Sequence, residues 1–195
     1  MSKDLIFYFA YGSDMSFRQM QQRLIENEII LDETCRSSGK LTGWELRFDK
    51  AVPHHPEIGM ACIHEHPGSI VEGILYQIPS RAMDIIDTYQ DVAGGHYTRI
   101  TLEVDLHGRG PVQAHAYVPV HDHIKPGLRP SRNHLYRLLA AEKFLSPEYF
   151  AKLKKTESLK VPVDDNGHPH APRNEAKPDR PKFSAPRAKT PWPES

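Results

Sequence analysis

The sequence predicts an α+β domain, a curved and mainly antiparallel sheet or open barrel with helices packed outside it. Three observations lead there. Strand-like apolar runs outnumber helical patterns along the chain. Two of them, Tyr97–Leu106 and Val112–Val120, are separated only by a Gly108-Arg109-Gly110 turn, which reads as a direct hairpin and not as part of an alternating parallel sheet. No internal repeat occurs at a period of about 20–50 residues, which sets repeat architectures aside.

The elements follow in order. Leu5–Tyr11 is short, almost wholly apolar and rich in aromatics, as a strand buried on both faces should be. Ser16 with Gln19 three residues on forms a capping-box pattern, and Phe17, Met20 and Leu24 recur at helical spacing, so a helix is expected over Ser16–Glu26. Strands are expected at Ile29–Cys35, Leu41–Phe48, Met60–Glu65 and Ile70–Ile78. Pro79-Ser80 opens a short helix with Met83, Ile86 and Tyr89 on one face. In the hairpin, Ile100, Leu102, Val104 and Leu106 alternate inward, as do Val112, Ala114, Ala116 and Val118. Ser131 and Ser146-Pro147 start two closing helices, the first with Leu135, Leu138 and Leu139 inward and the second with Phe150 and Leu153.

Composition changes near residue 160. Val161–Ser195 holds eight of the 17 prolines and no Ile or Leu. Such a segment buries too little apolar area to offset the entropy of ordering it, so 1–163 is read as the domain and 164–195 as a disordered or loosely draped tail. The 25 basic residues balance the 25 acidic ones. That balance argues against a nucleic-acid partner, since phosphate binding needs a basic excess. No apolar run approaches the ~20 residues of a membrane span, and the apolar stretch after Lys3 is cut short by Gly12-Ser13-Asp14 before it could serve as a signal-peptide core. Cys35 and Cys62 form no CxxC and no disulfide framework, and Cys62 reads as a small buried hydrophobe. A reduced, cytoplasmic protein is the expectation.

Chemistry points first to Phe7–Met15, FYFAYGSDM. A buried strand that ends in Gly-Ser at a helix entrance offers free backbone N–H groups, which with the helix dipole bind carboxylate or phosphate. Gly12 lets a ligand approach the backbone. This run resembles the N-terminal signature of the γ-glutamylcyclotransferase-like family, usually Tyr-Gly-Ser-Asn-Met. Three more stretches resemble the same family in order and spacing: Val71–Ile78 (VEGILYQI), Ile86–Arg99 (IDTYQDVAGGHYTR) and Leu128–Leu153, with Pro-Ser and Leu-Ser before its two helices.

The resemblance implies the family fold over about residues 5–160, no cofactor, and a small γ-glutamyl amine or amino acid as substrate. The implied reaction is internal aminolysis. The free α-amino group attacks the γ-carbonyl and releases 5-oxo-L-proline and an amine, which requires a folded substrate, a base for the ammonium and a partner for the oxyanion. Carried over by position, Tyr11, Gly12, Ser13 and Tyr97 bind substrate, and Gln90 occupies the place of the family's general-base Glu. A neutral amide cannot take that proton at pH 7. Further departures are Asp14 for Asn, Asp91 for Gly and His134 for Tyr.

Three carboxylates are candidates for the missing base. Asp14, fixed in the loop by the motif, comes first as a second catalytic residue. At a helix entrance it is expected to stay ionised, a weak base and a good partner for an ammonium. Glu72 shares a strand face with Ile70, Ile74 and Tyr76, which would point it into the barrel mouth with a pKa raised by burial. Asp91 is expected to point elsewhere. Of the 12 histidines, His64-x-His66 and His121-x-His123 have strand spacing, but nothing joins the pairs into the three or four ligands zinc needs, so no metal is expected. His54, His55, His107, His168 and His170 fall in loops or the tail. Gly94-Gly95 is a turn and not a phosphate cradle, and Ser13 lacks a nucleophile-elbow context. Arg129 and Arg132 could steer an anionic substrate. A non-catalytic relative that binds an amino-acid-like ligand or a protein, or one with altered chemistry such as amide hydrolysis, remains the alternative.

Overall fold

A computed structural model describes residues 4–53 and 55–161 of the chain. The expected tail at 164–195 and His54 lie outside the described residues. Five strands form one closed barrel in the order β1-β3-β2-β4-β5: β1 (Leu5–Ala10), β2 (Arg36–Val52), β3 (His55–Pro79), β4 (Tyr97–Leu106) and β5 (Gly110–Pro119). Four neighbouring pairs are antiparallel, and the parallel pairing of Phe7 and Tyr8 with Ala114 and His115 closes the ring. Around it pack α1 (Phe17–Ile25), α2 (Ala82–Tyr89), α3 (Arg132–Leu139) and α4 (Pro147–Lys154). No helix among the described residues is long and apolar enough to cross a membrane.

The hairpin strands keep the expected alternation, with Val104, Leu106, Ala114 and Ala116 buried. Elsewhere the strands differ from the sequence pattern. Met60–Glu65 and Ile70–Ile78 are parts of the single strand β3, which pairs along almost the whole of β2. Register shifts at Thr42/Trp44 and Arg47/Lys50 interrupt the alternation, which is why the pattern reads as separate pieces. Ile29–Cys35 is not a strand. Ile29 and Leu31 are buried as expected, but the Gln21 side chain on α1 takes their backbone groups, donating to the Ile29 carbonyl at 3.4 Å and accepting from Leu31 N–H at 2.8 Å. A helix side chain replaces the ladder.

Gly73 on β3 faces Gly39 on β2, and the bare backbone of this pair makes room for the buried ring of Phe9. A Cβ on Gly73 would stand 2.3 Å from the Ala10 carbonyl oxygen and about 3.0 Å from that ring. The last residue of β1 is thus seated directly against β3, which fixes where the loop after it emerges.

Three of the four helices start on the expected caps, whereas α2 begins after Arg81 with no side-chain cap and Pro79 ends β3. Ser131 and Ser146 accept from the amides of His134 and Tyr149 at 3.1 and 3.2 Å, and Ser16 accepts from Gln19 at 3.5 Å. The Gln19 side chain does not complete a capping box. It donates instead to the Ser13 hydroxyl at 2.9 Å and so ties α1 to the preceding turn. Met83 and Ile86 bury one face of α2, but Tyr89 is 49% exposed, with its ring under the Arg23 guanidinium.

Candidate active site

Beyond β1 the chain runs through Tyr11 and Gly12 into a single turn, Ser13–Met15, before α1. Met15 and Ser16 amides close this turn onto the carbonyls of Gly12 and Ser13, while the amides of Ser13 and Asp14 have no partner among the described residues. Tyr11 is buried and its hydroxyl donates to the Tyr117 carbonyl across the barrel. Gly12 has ordinary negative φ, and a Cβ there would meet only Ala61 at 3.5 Å. Its bare backbone forms part of the wall of a small inner chamber.

That chamber, about 40 Å³, is bordered by Tyr11, Gly12, Ser13, Asp14, Gln90 and Tyr97, with Tyr8, Met60, Ala61 and His134 completing the wall. All six residues that the sequence assigned to the site therefore meet at one place. Ser13, Met60, Gln90, Tyr97 and His134 also border an outer cavity of about 260 Å³, which adds Arg23, Lys50, Ile58, Asp91, His96 and Arg137 among others. Gln90 is the C-cap of α2, and its amide nitrogen lies 3.3 Å from Asp14 Oδ2 although 76 residues separate the two.

Asp14 is only 3% exposed and is the one carboxylate bordering the inner chamber among the described residues. Arg23 Nη1 pairs with its Oδ1 at 2.5 Å, with the Gln19 amide at 3.4 Å from the same oxygen. The Tyr8 hydroxyl donates to Oδ2 at 2.8 Å, beside Gln90. The Tyr76 hydroxyl holds the Asp14 backbone carbonyl at 2.8 Å. Side chains, and not only a helix terminus, surround this carboxylate, and its cation is Arg23. Burial, followed by the Asp14 charge and hydrogen bond, pushes the Tyr8 hydroxyl far up, and burial raises Tyr97 as well. Both phenols stay neutral hydrogen-bonding groups.

The other two carboxylates take different places. Glu72 borders neither cavity, contrary to the expectation of a barrel-mouth acid. It accepts from Ser146 N–H at 2.6 Å and Ser146 Oγ at 2.9 Å and pairs with Lys40 at 3.1 Å. Burial opposes its charge, but the bonds from Ser146 and Lys40 outweigh it and the pKa falls instead of rising. Asp91 sits at φ 51°, just past the end of α2. This left-handed position explains a Gly-preferring site at which Asp is also tolerated. Its carboxylate accepts from Gly94 N–H at 3.1 Å and faces His96 at 3.6 Å.

Several functional-looking residues escaped the sequence pattern. His134 is fully buried, and its Nε2 accepts from the Ala61 amide at 2.9 Å. Burial, with the charges of Arg137 and Arg23 adding to it, pushes its pKa down to about 3, so the ring is neutral and the Nδ1 nitrogen carries the hydrogen. That nitrogen has no partner within the described residues. The signal was present in the sequence, since the third residue after a Ser cap faces back toward the preceding turn. Lys50 and His96 were not singled out, because a register shift buries Asp49 and Lys50 consecutively.

Arg129 pairs with Glu157 and, like Arg132, borders neither cavity, so the steering arginines of the sequence reading are replaced there by Arg23 and Arg137. His121 and His123 lie in a 3₁₀ turn instead of a strand, and His123 stacks on His96 at 4.1 Å. His66 bonds Ser69. Cys62 is not a mere hydrophobe: it and His64 both direct their polar atoms at Asp49 Oδ1, at 2.5 and 2.9 Å, and burial followed by the Asp49 hydrogen bond raises the thiol pKa. These three form the one potential metal-holding group found among the described residues.

Comparison with known proteins gives a consistent result. The AIG2-like family profile matches residues 70–153. YkqA of Bacillus subtilis (strain 168), provisionally named a γ-glutamylcyclotransferase, is 27% identical over 155 residues, 79% of this chain and 53% of that protein. The chain thus spans about half the length of the curated relative it matches. The crystal structure of YkqA superposes with a TM-score of 0.67 at 26% identity, covering 79% of this chain and 54% of the other. Two further structures share the fold at 20% identity, each covering 83% of this chain and 93% of its own: the uncharacterized human protein loc79017, TM-score 0.69, and a γ-glutamyl cyclotransferase, TM-score 0.68. With its five-stranded barrel and four flanking helices, the chain shares the fold of γ-glutamylcyclotransferase structures, and over residues 70–153 it is similar to the AIG2-like family.

Proposed function

We propose that this chain is a slow γ-glutamylcyclotransferase, releasing 5-oxo-L-proline from a γ-glutamyl amine or amino acid. The observation that carries the reading is the meeting of Gln90 and Asp14, at 3.3 Å, on a chamber walled by the Tyr11–Ser13 loop. In the reaction the α-amino nitrogen forms a bond to the γ-carbonyl carbon, the γ-amide C–N bond breaks, and the proton lost by the ammonium is balanced by one gained by the leaving amine. The chamber would fold the glutamyl unit into a near-attack shape. The unpartnered amides of Ser13 and Asp14 are suited to hold a carboxylate or oxyanion. Gln90 can orient the amine but cannot take its proton. Asp14, bonded to Gln90, is the acceptor offered to the ammonium proton, and Arg23 and Tyr8 already engage both of its oxygens.

That engagement also favours a second reading, a relative that binds a γ-glutamyl ligand without turning it over. Measuring 5-oxoproline release by wild type, Gln90→Glu and Asp14→Asn on γ-glutamyl compounds decides between them. A positioned base contributes about 10²–10⁴ in rate, so Gln90→Glu should gain by about that factor over a slow wild type, and Asp14→Asn should lose the residual activity. No release by any variant, with γ-glutamyl compounds still raising the melting temperature, selects the binding reading. No release and no thermal shift would sink both.

A further inference from the structure

We infer that Lys50 forms a carboxylate-binding subsite in the outer cavity, which makes the chain selective for γ-glutamyl amino acids over γ-glutamyl amines. The inference rests on the γ-glutamyl reading above. Lys50 is 3% exposed, yet it borders the outer cavity. A buried ammonium is unfavourable unless it is paired and hydrogen-bonded. The Nζ of Lys50 reaches two neutral acceptors, the Ala51 carbonyl at 3.2 Å and His96 Nδ1 at 2.7 Å, and lies 5.3 Å from the centre of the Tyr97 ring. No carboxylate among the described residues is within ion-pair distance of it.

The two nearest candidates are turned to other partners. The adjacent Asp49 takes Cys62 and His64, and Asp91 takes Gly94 and His96. His96 stays neutral, since burial first and the Lys50 charge second lower its pKa, so it accepts from Lys50 and supplies no negative charge. An ammonium has three hydrogens, and among the described residues acceptors meet two of them. The remaining N–H suits one anionic oxygen offered from the outer cavity that Lys50 borders.

The substrate geometry identifies the anion. With the glutamyl unit in the inner chamber, the leaving group extends past the shared residues Ser13, Gln90 and Tyr97 into the outer cavity. An amino-acid leaving group brings an α-carboxylate to Lys50 and a side chain to the apolar wall of Val52, Pro53 and Ile58. An amine leaving group brings only the second.

Titration calorimetry on the wild-type chain with γ-glutamylalanine and γ-glutamylethylamide, which differ only in that carboxylate, tests the inference. A hydrogen bond to a charged group in such a site corresponds to about 10–100-fold in affinity, so γ-glutamylalanine should bind tighter by that factor. Lys50→Met should weaken γ-glutamylalanine until the two ligands are within about twofold, with γ-glutamylethylamide unchanged, and Lys50→Arg should keep part of the preference. Equal wild-type affinities overturn the Lys50 subsite and leave the γ-glutamyl reading standing, a comparison that needs no variant to fold. A Lys50→Met chain that retains the full preference, or loses both ligands equally, overturns it as well. If neither compound binds wild type, the γ-glutamyl reading itself falls.

Discussion

Asp14 and Glu72 are buried to similar depths, 3% and 6% exposed, and each is held by several donors including one cation. Their surroundings differ in kind. The Glu72 bonds come from the backbone and hydroxyl of Ser146, the cap of α4, so the carboxylate fastens a closing helix to the barrel. The Asp14 bonds come from side chains that themselves line a cavity or its wall: Arg23, Tyr8 and Gln90. Neither burial nor the number of hydrogen bonds separates a structural carboxylate from a chemical one here. The difference is whether the carboxylate borders space that a ligand can fill.

The strongest way to break this comparison is to remove the cation from each side. Arg23→Met leaves a buried carboxylate without its charge partner, which typically destabilises by about 3–5 kcal/mol. Denaturant unfolding should show a loss of that order, and the thermal shift with γ-glutamylalanine should vanish with it. A loss below about 1 kcal/mol would mean that Tyr8 and Gln90 suffice to hold Asp14.

His134 sharpens the comparison through pH. Its folded pKa, about 3, is far below the ordinary imidazole value of about 6.5. Below about pH 6.5 the unfolded chain takes up a proton that the folded chain refuses, so stability falls as pH drops toward 3, by about 1.4 kcal/mol per pH unit for this group. His134→Gln, whose side-chain oxygen can still accept from Ala61, should remove that part of the acid limb and leave stability near pH 8 little changed. Parallel stability–pH curves for the two chains would show that His134 titrates normally.

The smallest effect belongs to Lys40→Met. Lys40 is half-exposed, and Glu72 keeps both bonds from Ser146, so the loss should stay within about 1 kcal/mol. The γ-glutamylalanine shift should remain. If the shift disappears, the two regions are coupled and the distinction drawn between them fails.

Much of the barrel was legible because its hairpin is local and one-sided. Tyr97–Leu106 keeps period-two alternation, and both bounds match the strand observed. The Ser131 and Ser146-Pro147 caps were legible for the same reason, since a cap is satisfied within four residues. Ile29–Cys35 was misread as a strand because its apolar content matches a strand's. Its backbone partner, Gln21, belongs to a different element and leaves no local trace. The six expected site residues were proposed through motif resemblance, which carries position but not surroundings, and they border one chamber.

From the sequence alone came the class of fold, the two closing helices, the loop that ends β1, and the expectation that the amide of Gln90 stands where the resemblance implies a carboxylate. Those features depend on side-chain type and short spacing. Only the tertiary structure decided that Asp14 is occupied by Arg23, that Glu72 is an anchor and not a barrel-mouth acid, and that Lys50 is buried beside a neutral His96 with no carboxylate of its own among the described residues. The physical reason is that charge and hydrogen-bond state depend on groups on other elements, from nine to 74 residues away, brought within 3 Å or so by the folding of the chain, and no local pattern encodes them.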